Sequence, residues 1–146
     1  MSISARNKIQ GQISAIHAGE VMSLVTVQAG ENRLVAAITN EGVKELQLRQ
    51  NDTVTAVVKS TEVMLIKGDT GGIKISGRNR LKGQVASMQK GEAMGLVTVT
   101  VGLLHLGAAI TRQAIDELGL TQGDAATVVI KATEVISHGV LERGRQ

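Results

Sequence analysis

The 146-residue sequence contains no cysteine and no phenylalanine, tyrosine or tryptophan. Without cysteine the chain has no disulfide framework, no thiolate metal site and no cysteine nucleophile. Without aromatic residues the core must consist of valine, isoleucine, leucine, methionine and alanine, and these side chains bury less area than aromatic rings do. We therefore expect additional burial between parts of the chain or between chains.

Long apolar runs are also missing, so the sequence shows neither a signal-peptide core nor a membrane span, and we expect a soluble, cytoplasmic protein without a membrane partner. The formal net charge is only +3, from 16 basic and 13 acidic residues. This mild excess favours small anionic partners. It is far from the dense basic face that typifies nucleic-acid binding.

A tandem repeat organises what is present. Ser4-Ala5-Arg6-Asn7 returns as Ser76-Gly77-Arg78-Asn79, and the remainder of the first copy aligns with the second without a gap. Such a period decides the fold and is sought first. It predicts a first domain at 1–67, a linker at 68–72, a second domain at 73–140 and a polar tail at 141–146.

Alternating apolar residues predict strands, and a polar cap followed by an apolar period predicts one short helix. In the first copy the strands are expected at 8–16, 22–29, 33–38, 53–58 and 63–66, and the helix at 40–46. The second copy repeats the pattern. The predicted fold class is all-β, with two tandem OB-like five-stranded β-barrels that each carry one short helix.

Few polar residues outside the turns are retained in both copies, and most of them are hydrogen-bond donors. A pocket with arginine, lysine and hydroxyl donors suits a deprotonated oxyanion, and an amide at the start of the Asn40 helix could add a contact. Alternatively, Arg6 and Lys59 are solvated charges paired with Glu62 and Glu134. The retained positions are Ser4, Arg6, Asn7, Thr39, Lys59, Thr61 and Glu62, matched by Ser76, Arg78, Asn79, Thr111, Lys131, Thr133 and Glu134.

Catalytic and metal chemistry find no support in the pattern. The three histidines do not recur between the copies, so a shared acid–base role or a direct metal-cation ligand is not expected. Ser4 and Ser76 lack a paired base and a nucleophile-elbow glycine pattern, and no phosphate-binding fingerprint is present. We expect no catalytic residue and no enzymatic activity. Met22 and Met94 are interpreted as core fillers.

The combined motifs resemble the Mop domain, the molybdate-binding module of molbindins. In the first copy they are Ser-Ala-Arg-Asn, Gly-Gln-Ile, the Gly-Glu-Val hairpin, Ala-Ile-Thr and Val-Val-Lys-Ser-Thr-Glu-Val, and the second copy repeats most of them. Nearly the whole chain is similar to a tandem di-Mop protein. The resemblance implies an OB-like barrel per domain, a symmetric homo-oligomer that is a trimer in tandem forms, and molybdate or tungstate bound at interfaces between Mop domains.

The resemblance also implies a ligand set for each copy. Replacement of Ser60 by Ala132 removes one hydroxyl, so the two sites are expected to differ in affinity. The implied ligands in the first copy are Ser4, Arg6, Thr39, Lys59 and Ser60, with hairpin backbone around Val21 and Met22 as a possible contribution from a neighbouring domain. In the second copy they are Ser76, Arg78, Thr111, Lys131 and the Ala132 backbone, with Ala93 and Met94 as the hairpin candidates.

The implied function is reversible molybdate binding for storage, buffering or delivery. Two alternatives stay open at this point. A single-stranded nucleic-acid binder on an OB-like barrel would ordinarily use aromatic stacking platforms, which this chain lacks. A module that senses molybdate and signals to a partner protein would carry the same motifs.

Overall fold

The computed structural model describes the backbone of residues 6–68 and 79–142 and the side chains of residues 7–68 and 79–135. Each copy supplies five strands and one helix. A 3-10 turn precedes the last strand of each copy, at Ser60–Glu62 and Ala132–Glu134. The elements are β1 (Arg6–Ala18), β2 (Met22–Ala29), β3 (Asn32–Thr39), α1 (Asn40–Leu46), β4 (Thr53–Lys59), β5 (Met64–Lys67), β6 (Asn79–Lys90), β7 (Met94–Val101), β8 (Leu104–Thr111), α2 (Arg112–Leu118), β9 (Ala125–Ile130) and β10 (Ile136–Glu142).

The expected element order is confirmed; in the first copy β1, β3 and β4 are longer than predicted, β2 matches its predicted range, and β5 begins and ends one residue later. β1 runs two residues beyond each predicted end, because its pairing with β2 continues to Ala18. Near its middle β1 passes very close to the β2 backbone: a Cβ on Gly11 would lie 2.6 Å from the Gln28 carbonyl oxygen. Gly83 meets the Thr100 carbonyl oxygen in the same way, at 2.2 Å. Only glycine allows this approach, so both copies carry it.

The strands form two antiparallel five-stranded sheets, in the orders β10-β4-β1-β2-β3 and β5-β9-β6-β7-β8. Each sheet thus takes four strands from one copy and its remaining edge strand from the other. The opposite edges approach each other, β10 toward β3 and β5 toward β8, so each sheet curls as an OB-like barrel does. The predicted fold class is confirmed.

The compact units of the chain do not follow the repeat boundaries. The first-copy unit combines Lys8–Val58 with the segment that begins at Lys131, and the second-copy unit combines Asn7 with Lys59–Ile130. The chain changes unit inside β1 and again at the end of β4. The boundaries 1–67 and 73–140 therefore describe the sequence repeat, and the predicted linker lies largely outside the described residues.

Aliphatic side chains form the apolar clusters of both units. In the first-copy unit Ile13, Val25, Val27, Leu48 and Val54 form a buried cluster. In the second-copy unit the equivalent strands and helix bury another set, which includes Val85, Val97, Val99, Ile115 and Val128. Neither helix, at seven residues, is long enough to cross a membrane, and no other helix occurs in the described segments.

Met22 and Met94 do not belong to these cores, so their interpretation as core fillers is wrong. Their side chains are 39% and 45% exposed. Each is the first residue of its strand, and the alternation that buries Val25 and Val97 turns it outward. Val21, beside Met22 in the hairpin, is 70% exposed.

The edge strand β5 is fixed to the second-copy unit at its last residue. Lys67 Nζ donates to the Gly119 carbonyl oxygen at 3.1 Å and lies 3.8 Å from the Asp124 carboxylate. That carboxylate also accepts the Thr121 backbone N–H at 2.9 Å. The Thr121 amide, with a smaller contribution from Lys67, lowers the pKa of Asp124 below its ordinary value.

This lowered pKa predicts a stability that depends on acid pH. The charged form of Asp124 is favoured in the folded state, so its contribution is present above the unfolded pKa of about 4 and is lost as the pH falls through the folded value. Asp124→Ala should lower the melting temperature at pH 7, and the deficit should shrink below about pH 4. Asp124→Asn, which can still accept the Thr121 amide, should lose less. A deficit independent of pH would contradict this role of the charge.

Exchange of the edge strands predicts where a truncation acts. Removal of 131–146 takes away β10, whose residues Ile136 and Ser137 pair with Val57 and Ala56 of β4. Hydrogen exchange should accelerate at β4 amides, while amides of β6 to β9 keep their protection, because the second-copy unit retains all of its strands. Removal of 143–146 alone serves as the control. Unchanged protection of β4 would show that β10 contributes nothing to the first-copy unit.

Candidate anion-binding site

Two predicted hairpin residues and one predicted threonine meet at one end of the first-copy unit. Met22 pairs with Thr39 across β2 and β3. The Val21 carbonyl oxygen accepts the Asn40 N–H and the Met22 carbonyl oxygen accepts the Gly19 N–H, each at 2.8 Å. These bonds fix the hairpin against the end of β3, and we call Val21, Met22 and Thr39 the first hairpin half-site.

The second-copy unit builds the same arrangement from the equivalent residues. Met94 pairs with Thr111, and the Ala93 carbonyl oxygen accepts the Arg112 N–H at 2.9 Å. The Gly91 N–H donates to the Met94 carbonyl oxygen at 2.8 Å. Ala93, Met94 and Thr111 form the second hairpin half-site.

Both threonines are exposed N-caps of the short helices. Thr39 Oγ1 accepts the Gly42 N–H and Thr111 Oγ1 accepts the Ala114 N–H, each at 3.0 Å. The oxygen is thus engaged as an acceptor, which leaves the hydroxyl hydrogen to be donated to a ligand. The Asn40 amide, considered from the sequence as a further anion contact, is committed to Val21.

Lys59 and Ser60 lie elsewhere in the second-copy unit, where the 3-10 turn packs against β8. A Cβ on Gly107 of β8 would lie 3.6 Å from Ser60 Oγ and from Asn7 Oδ1. The Asn7 side chain bonds both backbone groups of Gly107, accepting its N–H at 2.8 Å and donating to its carbonyl oxygen at 2.9 Å. Ser60 is only 2% exposed, so its hydroxyl points into the protein, whereas Lys59 is exposed.

Lys59 forms no ion pair with Glu62 within the described part of the chain, although both side chains are exposed. Lys131 is likewise exposed, at the start of the 3-10 turn that lies against β3 in the first-copy unit. Its neighbour Ala132 is half-buried. We call Lys59 with Ser60, and Lys131 with Ala132, the first and second turn half-sites.

The half-sites are grouped across the copies. The second-copy unit holds the first turn half-site with the second hairpin half-site, and the first-copy unit holds the converse pair. Within the second-copy unit the turn lies at Gly107, four residues from Thr111, which is about 13 Å along a strand. The Ser60 and Thr111 hydroxyls of this unit are therefore too far apart to contact the same tetrahedral anion.

Four of the implied ligands have side chains outside the described part of the structure. Ser4, Ser76 and Arg78 lie outside the described residues, and Arg6 is described only through its backbone, as the first residue of β1. In the described segments no three histidine, aspartate or glutamate side chains cluster in a way that could hold a metal cation.

Two polar residues at the hairpins were not predicted from the sequence. Asn40 Nδ2 donates to the Gly19 carbonyl oxygen at 2.9 Å, and its Oδ1 accepts from Ser23 Oγ. Arg112, at the equivalent position, donates from Nη1 to the Gly91 carbonyl oxygen at 3.2 Å. The two copies use different residues for the same bond. A search for polar residues that are identical in both copies therefore identifies neither Asn40 nor Arg112.

The TOBE domain model matches the sequence twice, at residues 3–65 and 75–137. The chain belongs to the TOBE-domain family. As a tandem TOBE protein it is 39% identical over 138 residues to the molybdenum transport protein ModE of Herbaspirillum seropedicae, which covers 93% of this chain and 51% of that protein. The chain thus spans about half the length of this relative.

Two further relatives cover different shares of this chain. The molybdenum-pterin-binding protein 2 of Clostridium pasteurianum is 40% identical over 67 residues, which are 45% of this chain and 98% of that protein. A crystal structure of the cytoplasmic molybdate-binding protein ModG, with molybdate bound, superposes with a TM-score of 0.88 at 37% identity. It covers 95% of this chain and 99% of ModG.

The N-cap role of the threonines can be separated from anion binding. Thr111→Val should cost about 1 kcal/mol of unfolding free energy, because the Ala114 amide loses its acceptor. Thr111→Ser keeps the hydroxyl and should stay within about 0.5 kcal/mol of the unmodified protein. Urea denaturation measures both, and Thr98→Val on β7 is the control for the same change within a strand. Equal stability of the valine and serine variants at position 111 would contradict the cap.

Proposed function

We propose that this protein binds molybdate, or tungstate, reversibly and without catalysis, and that it stores, buffers or delivers the anion in the cytoplasm. The observation that carries the proposal is the likeness to ModG with molybdate bound, which extends over 95% of this chain. Both copies carry the serine, arginine, threonine and lysine donors of the resemblance apart from Ser60, which Ala132 replaces, and Thr39 and Thr111 lie at equivalent hairpins.

The chemistry of the exposed donors supports a fully deprotonated oxyanion. Threonine hydroxyls and lysine ammonium groups donate hydrogen bonds, and the lysines add charge. Hydrogen phosphate carries a proton that needs an acceptor, whereas molybdate, tungstate and sulfate at neutral pH do not. A donor-rich site therefore discriminates against phosphate.

The separation of the Ser60 and Thr111 hydroxyls within one unit supports a site that is completed by another protein surface. The proposed surface is a second copy of this chain, in a symmetric trimer. Exposed apolar side chains at the hairpins, such as Val21 at 70% and Met94 at 45%, fit burial in such an interface. The absence of aromatic residues from the core, for which additional burial is expected, also favours self-association.

About five charge-assisted hydrogen bonds at roughly 1.5–3 kcal/mol each give a gross stabilisation of roughly 8–15 kcal/mol before the costs of association. A dissociation constant of about 1 μM requires roughly 8 kcal/mol, so micromolar or tighter binding is physically reasonable. Lysine and arginine stay cationic through neutral pH, so binding should change little between about pH 6 and 8.

Titration calorimetry with molybdate, sulfate and phosphate, together with the mass from light scattering, tests the proposal. We expect saturable molybdate uptake with more than one ion per chain, little response to phosphate, and the mass of a trimer. Absence of molybdate uptake would overturn the proposed function. A steep loss of affinity near pH 6.5 would point to histidine and contradict the donor set.

Loss of the exposed lysines should weaken binding selectively. Lys59→Ala and Lys131→Ala each remove a charge-assisted contact and should weaken one class of site by about 10- to 100-fold. Lys8→Ala on β1 changes the same residue type outside the half-sites and should leave the titration unchanged. If both half-site variants titrate like the control, the lysines are not ligands.

A further inference from the structure

The two hairpin half-sites differ in the charge beside their threonines. In the first copy Thr39 is followed by Asn40 and Glu41, and in the second copy Thr111 is followed by Arg112 and Gln113. The first residue of α1 is thus neutral and the next acidic, whereas the first residue of α2 is basic and the next neutral. These two positions therefore differ by two elementary charges between the copies.

Arg112 is held toward the hairpin by two contacts. Nη1 donates to the Gly91 carbonyl oxygen and Nε to the Asp116 carboxylate, each at 3.2 Å. The guanidinium has five N–H groups, and these two contacts leave the others without a partner among the described residues. Its side chain is 39% exposed. Arg112 can therefore donate to a ligand at the hairpin while its position is fixed.

The first copy fixes its hairpin without charge. Asn40 bonds the Gly19 carbonyl oxygen and the Ser23 hydroxyl, and this network needs serine at position 23. The equivalent Gly95 has no hydroxyl, and a Cβ there would lie 2.4 Å from Ile115 Cδ1. The second copy thus packs Ile115 where the first places a polar bond, and its helix start holds the hairpin with arginine instead.

We propose that Arg112 is an additional anion-binding residue, which makes the second hairpin half-site the tighter and more salt-sensitive of the two toward a doubly charged tetrahedral oxyanion. This inference rests on the proposed function. Two of the acidic groups around the hairpins are the same in both copies. Glu92 has its equivalent in Glu20, and Glu117 in Glu45.

Asp116 is the acidic group closest to Arg112, and its equivalent in the first copy is Lys44. Its carboxylate accepts from Arg112 Nε at 3.2 Å and offsets part of the arginine charge, although solvent weakens this pairing because the Asp116 side chain is 56% exposed. Asp116 in place of Lys44 offsets the two-charge difference at longer range, so the expected gain comes from direct donation by the Arg112 Nη groups and corresponds to about three- to tenfold in affinity at low salt.

Molybdate titrations of the full chain at about 25 and 250 mM salt, which bracket the range of strong screening, test the proposal. The unmodified protein should show two classes of site, and the tight class should lose more affinity at high salt. Arg112→Gln should weaken the tight class about three- to tenfold and reduce its salt dependence, while Arg112→Lys should retain both. Glu41→Gln should tighten the weak class, a gain that damage to the fold cannot produce.

Arg33→Gln provides the matched control, since it removes one exposed cation about 20 Å along β3 from Thr39. This inference would be overturned if all sites had the same affinity and neither Arg112→Gln nor Glu41→Gln changed it, while molybdate binding itself remained intact. The inference would also be overturned if Arg112→Gln and Arg112→Lys both weakened molybdate binding and left its salt dependence unchanged. Arg112 would then have a structural role. Failure of the unmodified protein to bind molybdate would instead reject the proposed function.

Discussion

The exchange of edge strands between the repeats is the constraint on which the other features of the structure depend. Each five-stranded sheet is completed by a strand from the other copy, β10 beside β4 and β5 beside β9. A single copy therefore cannot form the observed sheet from its own residues. Each 3-10 turn lies in the same unit as the exchanged strand that follows it. Lys59 and Lys131 therefore belong to units formed mainly by the opposite copy. Exchange of strands thus also determines which candidate ligands share a unit.

The sequence predicted the strands, the helices and the OB-like class, because alternation and capping are local signals. It could not predict the exchange, because the competing pairings involve the same residues. Val57 of β4 corresponds to Val129 of β9, so β5 finds a similar partner in either copy. The choice between them depends on the course of the chain near positions 58–59 and 130–131, and no periodicity encodes it.

The candidate site residues were chosen from the sequence where the copies agree, and their role as ligands stays a prediction. The retained threonines are indeed paired with the predicted hairpin residues, since register follows from the hairpin. Asn40 and Arg112 were not predicted because the two copies bond the equivalent hairpin carbonyl oxygen with different residues. The first copy uses a serine–asparagine pair and the second uses arginine beside a glycine. Met22 and Met94 were misplaced because the apolar character of a strand's first residue does not reveal which face it occupies.

Duplication within one chain gives this architecture a freedom that identical single-repeat subunits lack. In an assembly of identical copies every hairpin carries the same residues, so all equivalent sites share one charge environment. Here Asn40 with Glu41 and Arg112 with Gln113 can diverge while the carbonyl oxygens of Gly19 and Gly91 remain bonded. The hairpin geometry is thus preserved by either residue, and the charge beside it is left to vary. Two affinities in one protein would extend the range of anion concentration over which it releases ligand, which suits a buffer.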